Sequence, residues 1–247
     1  MAAGPRVDPA SRLLYFHGGG YVLGSLDSYR NLAARIGAAA GCAVLAVDYR
    51  LAPEHPFPAA VEDGLAALRW LRVNGPQGPA PAVNCFVDGD SAGGGLALAV
   101  LIAARDANES LPDAVVTVSA WTDLVGTGVS LVSRREVDPM ADQQRLDLEA
   151  ALYLQGADPR TPLASPLYAD LHGLPPLLLQ AGDAEVLLDD TTRVAEKARA
   201  AGMEVMLEIW PEMIHVWQSF AGILPEGRRA IARIGQFLRR QTRVEAH

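Results

Sequence analysis

The sequence has few of the features that would place a protein in a membrane or in a disulfide-bonded scaffold. No stretch approaches the roughly 18 uninterrupted apolar residues of a membrane span, and the first dozen residues lack the apolar centre of a signal peptide. Only two cysteines are present, Cys42 and Cys85, and both lie in or beside apolar runs, where buried and reduced thiols are expected. We therefore expect a cytoplasmic protein without disulfides.

Basic residues are also scarce relative to acidic ones. Lys and Arg number 21 against 29 Asp and Glu, which gives a formal net charge of −8. A nucleic acid or an anionic membrane surface would require a clustered basic face, so neither is an expected partner. No H-E-x-x-H motif or cluster of Cys and His indicates a metal site. The sequence predicts a protein that acts without a metal or another cofactor.

Length and hydrophobic patterning predict one domain over residues 1–247, of the α/β class. Half of the 247 residues are apolar, enough to bury roughly 70–75% of the unfolded surface in one core. Short apolar runs predict strands at Leu13–Phe16, Ala43–Tyr49, Val83–Val87, Ala114–Ser119, Leu177–Ala181 and Glu204–Ile209. Longer periodic stretches predict helices at Tyr29–Ala40, Ala59–Val73, Ala92–Arg105, Ala141–Gln155, Thr191–Ala201 and Arg228–Arg240. This alternation is typical of a mainly parallel sheet with helices on both faces.

The pentapeptide Gly-Asp-Ser-Ala-Gly at residues 89–93 stands between a predicted strand and a predicted helix. In that position a G-x-S-x-G pattern predicts a nucleophile elbow, a sharp turn that holds its serine in strained backbone geometry. Flanking side chains larger than hydrogen would clash with such a turn, which explains the two glycines. Ser91 is therefore the candidate nucleophile.

A second glycine-rich segment, His-Gly-Gly-Gly at residues 17–20, follows the first predicted strand. It does not match a phosphate-binding loop, because no Gly-Lys-Ser/Thr follows and the spacing is not G-x-G-x-x-G. Glycines let backbone N–H groups approach a substrate carbonyl, as acyl transfer requires. The predicted oxyanion-hole donors are the amides of Gly19, Gly20 and Ala92. His17 is expected to order the loop by hydrogen bonding rather than to react.

Candidate acids follow the predicted strand Leu177–Ala181, in the chain order serine, carboxylate, histidine that a nucleophile elbow predicts. Four carboxylates are available there. Asp189 and Asp190 begin the next predicted helix, so a capping role is expected for them. Glu185 lies in the loop, where it can reach a histidine on the neighbouring loop, and Asp183 is the alternative acid.

His215 is the candidate base, because it lies just after the last predicted strand. The other histidines downstream of the glycine-rich segment are expected at the surface: His55 in a proline-rich turn, His172 in a loop and His247 at the terminus.

Taken together, these motifs resemble the hormone-sensitive-lipase-like family of bacterial esterases, also called family IV. The resemblance rests on His-Gly-Gly-Gly at 17–20, Tyr-Arg-Leu-Ala-Pro-Glu at 49–54, Gly-Asp-Ser-Ala-Gly-Gly at 89–94, Glu185 and His215. It implies an α/β-hydrolase fold, hydrolysis of carboxylic esters with short acyl chains or compact alcohols, and a triad of Ser91, Glu185 and His215. Most members have Asp-Pro where this chain has Glu185-Val186, so Asp183 remains open as the acid.

Only about a dozen residues precede the first predicted strand, whereas family members carry cap helices and two further strands there. The resemblance therefore implies a reduced N-terminal cap and an unpaired strand edge beside Leu13–Phe16. We expect such a chain either to associate, most simply as a two-fold homodimer, or to be less stable than its relatives. The insertion at about residues 121–176 is expected to pack over the sheet's carboxyl edge and to serve as the lid.

The predicted function is hydrolysis of a small-molecule ester by a carboxylesterase that forms an acyl-enzyme. A lactone hydrolase would use the same groups and is the alternative enzyme. A non-catalytic small-molecule receptor is the alternative of another class, since plant hormone receptors share the family's fold but lack the catalytic histidine. The presence of His215 together with Ser91 favours an enzyme.

Overall fold

The computed structural model describes residues 7–242 and contains eight strands and seven α-helices in that range. The strands are β1 (Asp8–Phe16), β2 (Cys42–Val47), β3 (Asn74–Gly75), β4 (Gly78–Pro79), β5 (Asn84–Asp90), β6 (Ala114–Val118), β7 (Leu177–Gly182) and β8 (Val205–Trp210). The helices are α1 (Leu26–Ala40), α2 (Ala59–Val73), α3 (Ala92–Asp106), α4 (Ser130–Ser133), α5 (Gln143–Leu154), α6 (Leu188–Ala200) and α7 (Pro225–Arg240). Short 3₁₀ helices lie at Pro166–Tyr168 and Trp217–Phe220.

Six strands form one sheet in the order β2-β1-β5-β6-β7-β8, and every neighbouring pair is parallel. The prediction of a mainly parallel sheet is therefore confirmed. Because parallel strands point the same way, their carboxyl ends meet at one edge, where ligands of such folds bind. All the candidate site residues follow the carboxyl ends of β1, β5, β7 and β8.

Two apolar cores cover the two faces of this sheet. In β1, Leu13 packs on one face and Leu14 on the other, as the two-residue period of a strand requires. Helices α1 and α7 cover the face of Leu13, where Ile36 and Ile234 are fully buried. Helices α2, α3 and α6 cover the opposite face. The sheet is thus enclosed between two helical layers, as its apolar strands require.

The strand predicted to have an exposed edge is an interior strand. Leu13–Phe16 pairs with β2 on one side and with β5 on the other, so the prediction of an unpaired edge beside it is wrong. The chain returns through α1 to place β2 outside β1, and β2 is the outer strand on this side of the sheet in the described residues. Sequence patterning identifies strands but does not give their lateral order.

Three short elements, two strands and one helix, were not predicted. The turn before the nucleophile strand contains the small antiparallel pair β3–β4, and the insertion carries the four-residue helix α4 besides α5. Elements this short have no apolar periodicity to detect.

Two expectations from the sequence concern membranes and thiols. Within residues 7–242, no helix has both the length and the apolar character needed to cross a bilayer. Cys42 and Cys85 are free and buried, as expected.

Candidate active site

Ser91 lies in the tight turn between β5 and α3, with φ 52° and ψ −124°. A positive φ is unusual for a residue with a side chain, and such strain is common where a side chain must be held for chemistry. The turn is packed so closely that a Cβ at Gly89 would overlap the backbone of Gly93, and a Cβ at Gly93 would overlap the carbonyl oxygen of Phe16. The glycine spacing around the serine therefore has a steric cause.

His215, in the loop after β8, reaches this serine. Its Nε2 lies 3.0 Å from Ser91 Oγ, a hydrogen-bonding distance, and only 8% of the residue is exposed. A neutral imidazole in this position can accept the hydroxyl proton. The structure thus brings together the predicted nucleophile and the predicted base.

Glu185 is the carboxylate beside that histidine. Its Oε1 lies 3.9 Å from His215 Nδ1, within ion-pair range but too long for a hydrogen bond. Both atoms are buried, and neither has a hydrogen-bonding partner within residues 7–242. Bonds of this kind are often loose in the absence of substrate and tighten in the reacting complex. The other oxygen, Oε2, accepts hydrogen bonds from Gly182 N at 3.0 Å and Ser119 Oγ at 2.7 Å.

Asp183, the alternative acid, is engaged elsewhere. It is partly buried, and its Oδ1 accepts a hydrogen bond from Glu212 N at 2.6 Å. That bond fixes the end of the loop that carries the histidine. The geometry favours Glu185 over Asp183 as the partner of His215.

Ser119 is a contributor to this arrangement that sequence analysis did not identify. It is fully buried, with φ 49°, and its Oγ accepts a hydrogen bond from Val216 N at 3.1 Å while donating to Glu185. Ser119 thereby joins the loop after β7 that carries Glu185, here called the glutamate loop, to the loop after β8 that carries His215. In the sequence it was indistinguishable from the last residue of a strand.

The surroundings of His215 affect its proton affinity in opposite directions. Burial favours the neutral imidazole, but the carboxylates of Glu185, Asp138 and Asp90 outweigh that effect, so the pKa of His215 lies above its ordinary value. Asp90 is itself fully buried, accepts a hydrogen bond from the Tyr15 hydroxyl, and has its pKa raised by burial to about 6.

The glycine-rich segment between β1 and α1 forms another side of the site. Gly19 and Gly20 have φ values of 113° and 62°, which a residue with a side chain rarely adopts. A Cβ at Gly19 would also overlap the carbonyl oxygen of Leu23, and one at Gly18 would overlap the carboxyl of Asp90. The backbone can therefore approach the site only because these residues are glycines.

His17 is buried and stacks on aromatic rings rather than facing the nucleophile. Its ring lies 5.3 Å from that of Tyr29 and 4.4 Å from that of Tyr49, between centroids. The Tyr49 hydroxyl donates to the His17 carbonyl at 2.7 Å, and His17 Nδ1 lies 2.7 Å from the Gly18 carbonyl oxygen. These contacts are those expected of a residue that orders the loop.

A cavity of about 150 Å³ lies over Ser91 and His215. Gly19 and Gly20 line one side of it. The insertion at residues 121–176 supplies a second wall, formed by Met140, Ala141, Arg145, Leu146 and Glu149. Arg145 Nε donates to Glu149 Oε1 at 2.7 Å, so this wall carries an ion pair.

Asp189 and Asp190 stand in the first turn of α6, as predicted, but the predicted capping role is wrong. The N-cap of α6 is Leu187, which makes no side-chain cap. Asp190 is buried and accepts hydrogen bonds from the Thr122 and Asp123 amides at 2.7 and 2.8 Å. Asp189 accepts one from Ser130 N at 3.1 Å. Tertiary contacts with the insertion have replaced the local capping bonds that the sequence favoured.

Of the remaining histidines that the structure describes, neither lines this cavity. His55 and His172 are exposed, and His172 pairs with Asp170 at 2.6 Å. His247 lies outside the described residues. In the part of the chain that the structure describes, no three His, Cys, Asp or Glu side chains cluster in a way that could hold a metal ion.

Comparison with known families identifies the fold. A family model described as the alpha/beta hydrolase fold matches residues 13–219 of the chain. The chain therefore belongs to the α/β-hydrolases, and the predicted fold class is confirmed.

Individual relatives narrow the assignment. An acetyl-hydrolase from Streptomyces hygroscopicus is 51% identical over 230 residues, which are 93% of this chain and 76% of the relative. An esterase from Acinetobacter venetianus is 35% identical over 226 residues, covering 91% of this chain and 73% of the relative. A solved esterase structure of the bacterial hormone-sensitive lipase family is 52% identical, with a TM-score of 0.93, and is matched over 98% of this chain and 80% of its own. The chain is thus a member of the hormone-sensitive-lipase-like esterases, and the enzyme class predicted from the sequence, a serine carboxylesterase, is confirmed.

Proposed function

We propose that the chain hydrolyses small carboxylic esters through Ser91, His215 and Glu185. The observation that carries this proposal is the 3.0 Å contact between His215 Nε2 and Ser91 Oγ. As Ser91 Oγ attacks the ester carbonyl, His215 takes its proton and then returns it to the departing alcohol oxygen. Glu185 orients the imidazole and stabilises its charged form. Water, activated by the same histidine, then attacks the acyl-enzyme and releases the acid.

The negative charge that develops on the carbonyl oxygen needs donors fixed in advance. We assign this role to the amides of Gly19, Gly20 and Ala92. Gly19 and Gly20 line the cavity over the serine, and Ala92 is the first residue of α3, directly after the nucleophile. Donors at a helix start also benefit from the helix dipole.

The cavity's volume supports short acyl groups. At about 150 Å³ it is smaller than the roughly 300–1,000 Å³ of pockets for drug-sized ligands. The apolar wall contributed by Met140, Ala141 and Leu146 suits a short alkyl chain. We assign to residues 121–176 the role of a lid over this cavity.

A panel of p-nitrophenyl esters tests the function. We expect turnover of the acetate and butyrate esters and a fall in kcat/KM of at least about tenfold for the decanoate, which exceeds the cavity. A lactone in the same panel tests whether the chain acts instead as a lactone hydrolase. The absence of turnover on every substrate would contradict the proposal and favour the non-catalytic receptor.

The pH dependence of kcat/KM should follow His215. Only the neutral imidazole accepts the serine proton, so activity is expected to rise as pH increases through its pKa. The carboxylates around His215 stabilise its protonated form, which places the midpoint above the ordinary histidine value. Initial rates on p-nitrophenyl acetate across the pH range check this. A flat profile, or a midpoint below the ordinary value, would contradict the assignment of His215.

Association as a homodimer and a cytoplasmic location remain predictions. The outer strand β2, rather than β1, offers the sheet edge at which a second copy could pair. Light scattering of the purified chain measures its oligomeric state directly.

A further inference from the structure

We propose that Asp138 is a positioning residue that ties the cavity wall to the glutamate loop and so keeps Glu185 against His215. This inference rests on the proposed function, because it assigns Glu185 and His215 their catalytic roles. Asp138 lies in the insertion, between α4 and α5, and no sequence motif indicates a function for it.

Asp138 is buried, with 8% of the residue exposed, and its carboxylate makes contacts in two directions. Its Oδ2 accepts a hydrogen bond from Val186 N at 2.9 Å. Its Oδ1 accepts hydrogen bonds from Met140 N at 2.9 Å and from Ala141 N at 3.3 Å. Both oxygens of one buried carboxylate are therefore used, each on a different segment.

The reaction requires these two segments to be held in a fixed position relative to each other. Val186 directly follows Glu185, so the hydrogen bond from its N–H to Asp138 fixes the loop one residue after the acid, while Ser119 holds the acid itself. Met140 and Ala141 line the cavity over Ser91. Asp138 thus sets the position of the acid and the shape of the substrate wall together.

Ser130 strengthens the same connection. Its Oγ donates to the Val186 carbonyl at 2.6 Å and accepts from Asp189 N at 3.0 Å. The insertion is therefore hydrogen-bonded to the glutamate loop on both sides of α4, through Ser130 at its first residue and through Asp138 after its last. Asp138 differs from Ser130 in that it also brings a negative charge toward the active site.

That charge distinguishes positioning from simple structural support. The carboxylates that raise the pKa of His215 are Glu185, Asp138 and Asp90, acting against the effect of burial. Removing the charge at Asp138 makes the imidazolium less favourable, which lowers the pKa of His215. The acidic limb of the pH profile must then move to lower pH, whereas a loss of stability alone would leave it in place.

Asp138→Asn is the variant that tests the inference. An amide keeps the shape but has one acceptor oxygen, so either Val186 N or the pair at Met140 and Ala141 loses its partner. We expect kcat on p-nitrophenyl acetate to fall about 10- to 100-fold, the scale of a displacement near 1 Å at the site, and the acidic limb to shift to lower pH. Asp142→Asn is the matched control, since Asp142 is exposed and its side chain caps α5 by accepting from Arg145 N at 2.9 Å. Asparagine caps helices equally well, so this control should match the wild type in both readouts.

Asp138→Glu keeps the charge and moves it by one methylene. It should lose kcat and retain the wild-type acidic limb, and it carries the test if the asparagine variant fails to fold. A wild-type kcat or a wild-type acidic limb in Asp138→Asn, or a wild-type kcat in Asp138→Glu, would overturn the inference while leaving the proposed function intact. A wild type without ester hydrolysis would overturn the proposed function first, and the role of Asp138 with it.

Discussion

Ser91→Ala is expected to lower kcat for p-nitrophenyl acetate about 10⁶-fold, leaving only the small rate that the oxyanion hole and binding can supply. The hydroxyl is the group that His215 Nε2 contacts at 3.0 Å, and no covalent intermediate can form without it. His215→Ala should lose a similar factor, and the double variant should be no worse than either single one. Residues that act as one unit show this non-additivity.

A matched serine variant and thermal unfolding provide the controls for this prediction. The exposed Ser133 of α4 offers a matched serine, and Ser133→Ala should retain wild-type kcat. The melting temperature of Ser91→Ala should stay at or above the wild-type value, because the substitution keeps the Cβ and removes only a hydroxyl from a tight turn. A Ser91→Ala variant that kept about a tenth of wild-type kcat would show that another residue is the nucleophile.

Glu185→Gln is expected to lower kcat by about 10⁴-fold through the wrong imidazole tautomer. The Oε2 position of Glu185 receives two donors, Gly182 N and Ser119 Oγ, so a glutamine would place its carbonyl oxygen there. Its amide N–H groups would then face His215 Nδ1 and favour the tautomer with the proton on Nε2. That tautomer cannot accept the proton of Ser91.

Two further substitutions distinguish the acid from its neighbour. Glu185→Asp keeps the charge and should recover part of the lost kcat. Asp183→Asn should have a much smaller effect than Glu185→Gln, since an asparagine Oδ1 can still accept from Glu212 N. If Asp183→Asn proved the more damaging change, the acid would have to be reassigned to Asp183.

Most of the fold could be predicted from the sequence because its strands and helices are long and periodic. The predicted helix Ala59–Val73 has the same bounds as α2, and the strand Ala114–Ser119 differs from β6 by one residue. The lateral order of the strands could not be predicted, because pairing depends on how crossovers pack in three dimensions. The free edge predicted beside β1 rested on the strands that relatives carry before it; the structure instead pairs β1 on both sides and places β2 at that edge of the sheet.

The site divides in the same way. Ser91, Gly19 and Gly20 stand in local motifs whose steric causes are visible in sequence, and His215 is predicted from its place after the last strand. The structure brings these four residues to one cavity. Ser119 and Asp138 belong to no motif. Their importance arises only when β6 and the insertion are folded against the glutamate loop, where buried carboxylates and hydroxyls must find partners. The capping role predicted for Asp190 fails for the same reason: it stands in the first turn of α6, but its carboxylate accepts from Thr122 N instead of capping the helix.

The most direct test of the central claim is covalent labelling with diethyl p-nitrophenyl phosphate followed by peptide mass mapping. Ser91 Oγ should attack phosphorus and expel p-nitrophenolate, leaving one diethylphosphoryl group per chain on Ser91. Labelling should be abolished in Ser91→Ala and much slowed in His215→Ala, while Ser133→Ala should label like the wild type. A phosphoryl group on any other residue, or labelling that persists in Ser91→Ala, would contradict the assignment of Ser91 as the nucleophile.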